Sequence, residues 1–192
     1  IVPDAKILRM DTDTTSSRYS YEKYFKSFEN GEYDILIGTQ MVAKGLNFPN
    51  VTLVGVLSVD QMLFNDDYKS GERAFDLITQ VVGRSGRGES PGKAFIQTSF
   101  PDSEIICMAK DQNYESFYEQ EMNYRNIMNY PPARNLLAIL MTSLEEEKLD
   151  RFSKEIKEKI MEETVENMAV IGPAEAAISK IQDYYRKVIY IK

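Results

Sequence analysis

Residues 34–49, Asp34-Ile-Leu-Ile-Gly-Thr-Gln-Met-Val-Ala-Lys-Gly-Leu-Asn-Phe-Pro49, run three aliphatic side chains straight into Gly38-Thr39 and then into a glycine turn. A short unbroken apolar run is the pattern of a strand buried on both faces of a parallel sheet. Ligands in such sheets bind at the carboxyl ends of the strands, where Thr39 falls. Outward from this point, Ala5–Met10, Val51–Leu57 and Ala94–Thr98 read as further strands. Asp11–Ser17 is a turn and N-cap cluster ahead of a helix whose aromatics Tyr21, Tyr24, Phe25 and Phe28 fall at i, i+3, i+4 and i+7, a core-packing stripe. Asn30-Gly31 stops that helix. Helical windows at 39–44 and 70–83 alternate with the strands, which predicts a parallel α/β sheet with right-handed crossovers.

The segment Gln80-Val-Val-Gly-Arg-Ser-Gly-Arg-Gly88 places Arg84 and Arg87 three residues apart between glycines. A guanidinium stays charged and offers forked donors to a phosphate, and glycines let the backbone approach a ligand closely. The pair therefore predicts a phosphate-sensing element rather than surface ion pairing.

Composition narrows the chemistry. The chain has 192 residues, one cysteine (Cys107) and no histidine, which excludes an internal disulfide and a cysteine-cluster zinc site and removes the commonest general base. No apolar run approaches the length of a membrane span. The chain opens without Met and without a basic-then-apolar leader, so no signal peptide is expected and the sequence reads as an excised piece of a cytoplasmic protein. A net charge of −7 has the wrong sign for a free-standing nucleic-acid binder. Residues 1–100 carry 11 basic and 13 acidic side chains and residues 101–192 carry 12 and 17, so the motif-bearing half is the less acidic. Asp60, Asp66, Asp67 and Glu72 match no ligand spacing and are expected to be a solvated loop.

Residues 103–126 read as helical, closed by Tyr130-Pro131-Pro132. The pattern then changes: strand Leu136–Met141, an acidic amphipathic helix Leu144–Val165 over a stripe of Leu149, Phe152, Ile156 and Ile160, a short strand Val170-Ile171 closed by Gly172-Pro173, and strand Tyr185–Ile191. That βαββ order is three-quarters of a ferredoxin-like split unit. The expected division is a RecA-like α/β domain with trailing helices over 1–128 and a truncated α+β unit over 129–192.

Taken together, Asp11-Thr-Asp-Thr-Thr, the run from Gly31 to Val51, Glu72-Arg-Ala-Phe, Gln80–Gly88, Tyr130-Pro-Pro, Ile171-Gly-Pro-Ala and Tyr185-Arg-Lys closely resemble the primosomal protein N′ (PriA) family of superfamily 2 replication-restart DNA helicases. The resemblance runs nearly end to end and implies the second RecA-like helicase lobe followed by the start of the family's C-terminal domain. It implies that Arg87 is an arginine finger on ATP and Arg84 its companion, both catalytic. Gly45, Asn47, Gln80, Gly83, Arg84 and Arg87 are the implied nucleotide-binding positions. Thr39, Gln40 and Lys44 are implied to meet the DNA backbone, and no metal ligand falls in this chain. The usual residue at 47 is Asp, and Asn47 departs from it.

The chain contains no Gly-x-x-x-x-Gly-Lys-[Ser/Thr] loop, so ATP and Mg2+ are expected to be held mainly elsewhere and this polypeptide alone is expected to be inactive as an ATPase. The family's zinc sites likewise fall outside it. The implied partners are forked or single-stranded DNA, primosome proteins and single-strand-binding proteins, with no membrane. Two other readings stand beside this one: a non-enzymatic module docking replication proteins through its acidic half, and another superfamily 2 translocase such as a branch-migration helicase.

Overall fold

In the computed structural model, residues 3–11, 18–39, 51–65, 67–83, 92–163 and 168–192 are described. The chain divides into two units, Ile1–Phe117 and Tyr118–Lys192.

In the first unit, alternation along strand β1 (Ile7–Met10) buries Leu8 and Met10 and leaves Ile7 and Arg9 exposed. Helix α1 (Arg18–Glu29) packs on β1 and keeps Tyr24, Phe25 and Phe28 half-buried. Strand β2 (Ile35–Gly38) pairs with β1 in parallel, Ile7 opposite Ile35 and Met10 opposite Gly38. The Asp34 carboxylate accepts the Lys6 amide at 2.8 Å and so pins the start of the pair. Ile35 and Ile37 are exposed and only Leu36 is half-buried, contrary to the two-sided burial expected of this run. Among the described residues β2 has β1 as its sole strand partner, so a full sheet does not enclose it.

Strand β3 (Leu53–Val56) pairs in parallel with β4 (Lys93–Ile96), Leu53 opposite Lys93. The described parallel strands thus form two pairs, where a single sheet was expected. Between β3 and β4 lie a short helix α2 (Asp60–Leu63) and the longer α3 (Ser70–Val82). Helix α3 buries Ala74, Phe75, Ile78 and Val81, a 3.6-residue stripe. Three of these, Ala74, Phe75 and Ile78, join Val59, Ile106, Ala109 and Phe117 in the unit's main core. The residues that read as helical over 103–126 form two helices, α4 (Glu104–Lys110) and α5 (Tyr114–Met128). The break is at Gln112, whose φ of 53° is left-handed and cannot continue a helix.

In the second unit, β5 (Leu137–Ser143), α6 (Glu146–Glu162), β6 (Val170–Ile181) and β7 (Tyr184–Ile191) follow in order. Strand β7 lies between β5 and β6 and is antiparallel to both. Helix α6 closes over the sheet with Leu149, Ile156 and Ile160, against Met141, Ile189 and Tyr185. Phe152, expected on this stripe, is 49% exposed, and Ser153 takes the buried place, fully enclosed with its hydroxyl on the Asp150 carbonyl. Positions 149, 153, 156 and 160 share one helix face, and 152 falls off its edge. Strand β6 is also far longer than the two residues expected. It continues through Gly172-Pro173 by bulging between Ile171 and Ala174 and again between Glu175 and Lys180.

Gly172 is what lets β6 continue. Its φ is +108°, and a Cβ there would lie 2.7 Å from the Val188 carbonyl oxygen and 3.1 Å from the Ala174 nitrogen. Gly172→Ala is expected to destabilise the chain by about 1–3 kcal/mol, the scale of a strained backbone residue. It should appear as a lower urea midpoint at constant slope. Gly55→Ala, with nothing within 4 Å of the added carbon, is the matched control. Equal midpoints for the two variants would show that no close approach exists at Gly172.

At the start of this unit, Arg125 is 8% exposed; its Nε donates to Glu121 at 2.8 Å and its Nη1 to the Pro131 carbonyl at 3.1 Å. Lys192 donates to the Met128 carbonyl at 3.0 Å and stands 3.8 Å from the centre of the Tyr130 ring. Lys192 thus caps the Met128 carbonyl at the end of α5, and Arg125 ties the helix to Pro131 just beyond it.

Candidate functional site

Two of the described elements end at predicted site residues. Strand β2 delivers Thr39 at its carboxyl end, exposed, one residue after Gly38. Helix α3 delivers Gln80, half-buried in its last turn, and Gly83, its exposed C-cap. The Gly83 amide donates to the Thr79 carbonyl at 2.9 Å, so the chain is still helical in its bonding as it reaches the arginine segment. Thr39 belongs to the β1–β2 pair, whereas Gln80 and Gly83 belong to the helix that packs on β3 and β4. Gln40, Lys44, Gly45, Asn47, Arg84 and Arg87 lie outside the described residues.

Helix α3 is firmly anchored. At its start, the Ser70 hydroxyl donates to the Asn65 carbonyl at 2.6 Å, and Arg73 pairs with Asp67 at 2.6 Å. The Asp67 carboxylate also accepts the Lys69 amide at 3.0 Å. These bonds replace an N-cap side chain, which α3 lacks. Toward its other end, the Thr79 hydroxyl is buried without a partner among the described residues.

A second polar cluster gathers at the carboxyl ends of β3 and β4, and the sequence reading missed it. The Asp60 carboxylate accepts the Thr98 hydroxyl and the Ser99 amide, the latter at 2.8 Å. Beside it, the Ser58 amide donates to the Gln97 side chain at 3.2 Å, and the Val59 amide to the Gln97 carbonyl at 3.3 Å. Asp60 and Asp67 are therefore tied into the fold, which corrects the expectation of a solvated acidic loop. No local pattern announces these pairings, because Asp60 and Thr98 are 38 residues apart.

The hydrogen bond from Thr98, then the one from Ser99, holds the Asp60 carboxyl below its ordinary range. A depressed folded-state pKa contributes stability above the unfolded-state value and loses it as the pH falls through the folded-state value. Thr98→Val removes the first cause. The Asp60 carboxyl carbon, followed by NMR, is expected to titrate at higher pH in that variant, and an unmoved titration would show that the hydroxyl does not hold it.

Among the described residues, no group of three or more acidic or cysteine side chains has the geometry of a metal site, and no helix is long and apolar enough to cross a membrane.

Comparison with known proteins divides the chain along similar lines. Residues 4–89 match the model of the helicase conserved C-terminal domain. Residues 126–192 match the primosomal protein N C-terminal domain. The replication restart protein PriA of Bacillus subtilis is 42% identical over 192 residues, covering 100% of this chain and 24% of that protein. PriA of Thermotoga maritima is 34% identical over 190 residues, covering 99% of this chain and 25% of that protein. PriA of Chlamydia trachomatis is 47% identical over 135 residues, covering 70% of this chain and 18% of that protein. The chain spans about a quarter of the length of the first two.

Proposed function

The chain belongs to the PriA family of replication restart proteins, and from that premise we propose that it supplies the second RecA-like lobe of an ATP-dependent DNA helicase that acts in primosome assembly and restart of stalled forks. We read the lobe with its trailing helices over 1–128 and the first part of the C-terminal domain over 129–192. The β5-β7-β6 order, with α6 between two strands that flank a third, supports reading the second unit as a partial ferredoxin-like sheet.

The observation that carries the proposal is the end of α3. A helix anchored in the main core of the first unit runs to Gly83, and the next five residues, Arg84-Ser-Gly-Arg-Gly88, place two guanidiniums among glycines. In this reading Arg87 is the finger that neutralises charge developing on the transferred phosphoryl group, and Arg84 holds the same nucleotide. Gln80, Gly83, Gly45 and Asn47 line the nucleotide side. Thr39, with Gln40 and Lys44, meets the DNA backbone. A hydroxyl and free amides at a strand end hold a phosphate without reading sequence, which suits a motor that must pass every base.

ATP with Mg2+ supplies the phosphoryl chemistry when bound. Its phosphate loop is absent from this sequence, so the chain alone is inactive as an ATPase. Zinc sites, primosome and single-strand-binding partners, and the cytoplasmic setting belong to the longer protein in this proposal. Mixing this chain with the separately produced ATP-binding lobe is expected to restore DNA-dependent ATP hydrolysis that neither piece has alone. Absence of any gain, with both pieces folded, counts against the lobe assignment.

A further inference from the structure

Strand β7 lies in the middle of the second unit's sheet, and α6 packs on one face of that sheet. Successive side chains of a strand point to opposite faces. Ile139 and Met141 of β5, with Tyr185, Ile189 and Ile191 of β7, pack on the α6 side, so Leu140, Arg186, Val188 and Tyr190 lie on the other. Strand register joins that second face across all three strands. Tyr190 has Ala138 on one side and Ile171 on the other, and Val188 has Leu140 and Ala174. Further along, Arg186 is opposite Thr142 and Tyr184 is opposite Ile181.

Val188 is buried at the centre, but Leu140, Ile171, Tyr184 and Tyr190 around it are exposed. Single exposed apolar side chains are ordinary, whereas a contiguous set marks an interaction surface. The charge of the face says which kind. Residues 101–192 carry 12 basic and 17 acidic side chains, yet none of the ten positions paired on this face is acidic. Its one ion is Arg186, whose Nη1 donates to the Ile178 carbonyl at 3.3 Å and whose remaining N–H groups are left to meet an acceptor. Exposed tyrosine rings beside a guanidinium, with no carboxylate among them, suit a polyanion that carries flat apolar rings. Bases of a single strand stack on sheet-borne aromatics while cations meet the backbone.

We propose that this sheet face is a further contact for single-stranded DNA, on which Tyr190 stacks a base and Arg186 meets a backbone phosphate. At about 3.3 Å per residue the two stand about 13 Å apart along β7, within reach of one short strand. The choice of DNA rests on the motor reading above, but the face uses none of the residues placed there and needs no ATP.

The test is binding of fluorescein-labelled oligo-deoxythymidine to the 192-residue chain, followed by anisotropy over a series of salt concentrations. Tyr190→Ala is expected to weaken binding about tenfold, the scale of one base stacked on an aromatic ring, and Tyr190→Phe to bind like wild type. Arg186→Gln keeps a donor for the Ile178 carbonyl and loses the charge. Its slope of log affinity against log salt is expected to be shallower by about 0.7, the value for one phosphate of a single strand. Phe152→Ala, which removes an exposed ring on α6, is expected to bind like wild type. No binding by wild type, wild-type affinity in Tyr190→Ala, an unchanged slope in Arg186→Gln, or an equal loss in Phe152→Ala each overturns the proposal. So does a DNA-free wild-type chain that sediments as a dimer while Tyr190→Ala sediments as a monomer, since the face then joins two copies. If Tyr190→Ala does not fold, the Arg186→Gln slope decides. Restored ATP hydrolysis on mixing with the other lobe, beside wild-type DNA binding in Tyr190→Ala, rejects this face and leaves the motor reading standing. The opposite pair of results rejects the lobe assignment and leaves the face standing.

Discussion

Arg87→Ala in the full-length protein is expected to lower DNA-stimulated ATP hydrolysis by on the order of 10³-fold or more, the scale on which arginine fingers act. ATP affinity should stay nearly unchanged, because in the proposed reading the nucleotide is held by a phosphate loop outside this chain. The reason for the split is the timing of the contact. A finger meets charge that grows only in the transition state, so its loss appears in kcat rather than in binding. Arg87→Lys keeps the charge and loses the planar, forked donors, and is expected to recover only part of the rate. Steady-state ATPase assays with and without DNA, with nucleotide binding measured separately, decide the matter. Near-normal turnover in Arg87→Ala would sink the finger assignment.

A large loss of stability is expected at Phe75. Its ring is 2% exposed and stacks on Phe117 with centroids 4.0 Å apart and planes 11° from parallel. Val59, Ala74, Ile78, Ile106 and Ala109 complete the enclosure. Phe75→Ala removes the buried ring and leaves a cavity between α3 and its neighbours. Such changes cost about 3–5 kcal/mol, a large share of the roughly 5–15 kcal/mol that holds a typical domain together. The variant should unfold at distinctly lower urea concentration. A loss below about 1 kcal/mol would mean that the site collapses freely and that Phe75 is not central to the core. Because α3 ends at Gly83, the same change is expected to reduce ATPase activity through disorder, and the fall in stability separates it from Arg87→Ala.

Much of this molecule was legible in advance, and the reason differs by feature. Periodicity revealed α1 and α6, since an apolar stripe depends on nearest neighbours along the chain. The βαββ element order after the prolines was legible for the same reason. Finer choices were not. Phe152 is more apolar than Ser153, yet Ser153 lies on the buried face, because helix geometry and not hydrophobicity assigns the position. Ile35 and Ile37 read as doubly buried and are exposed. Gly172-Pro173 looked like the end of a strand, but Gly172 at a left-handed φ carries β6 past it. Gln112 offered no signal, since nothing local marks a glutamine that takes a glycine's place.

The order of the motifs and the side-chain chemistry they carry, above all Arg84 and Arg87 among their glycines, were determined by the sequence alone, as was membership of the PriA family. Those properties reside in residue types and short spacings, which the chain carries whether or not it is folded. Tertiary structure decided what meets across distance: Asp60 with Thr98, 38 residues on, and the Phe75 ring with Phe117. Such contacts depend on strand register and helix packing, and those arise only when separate segments compete to bury the same apolar surface.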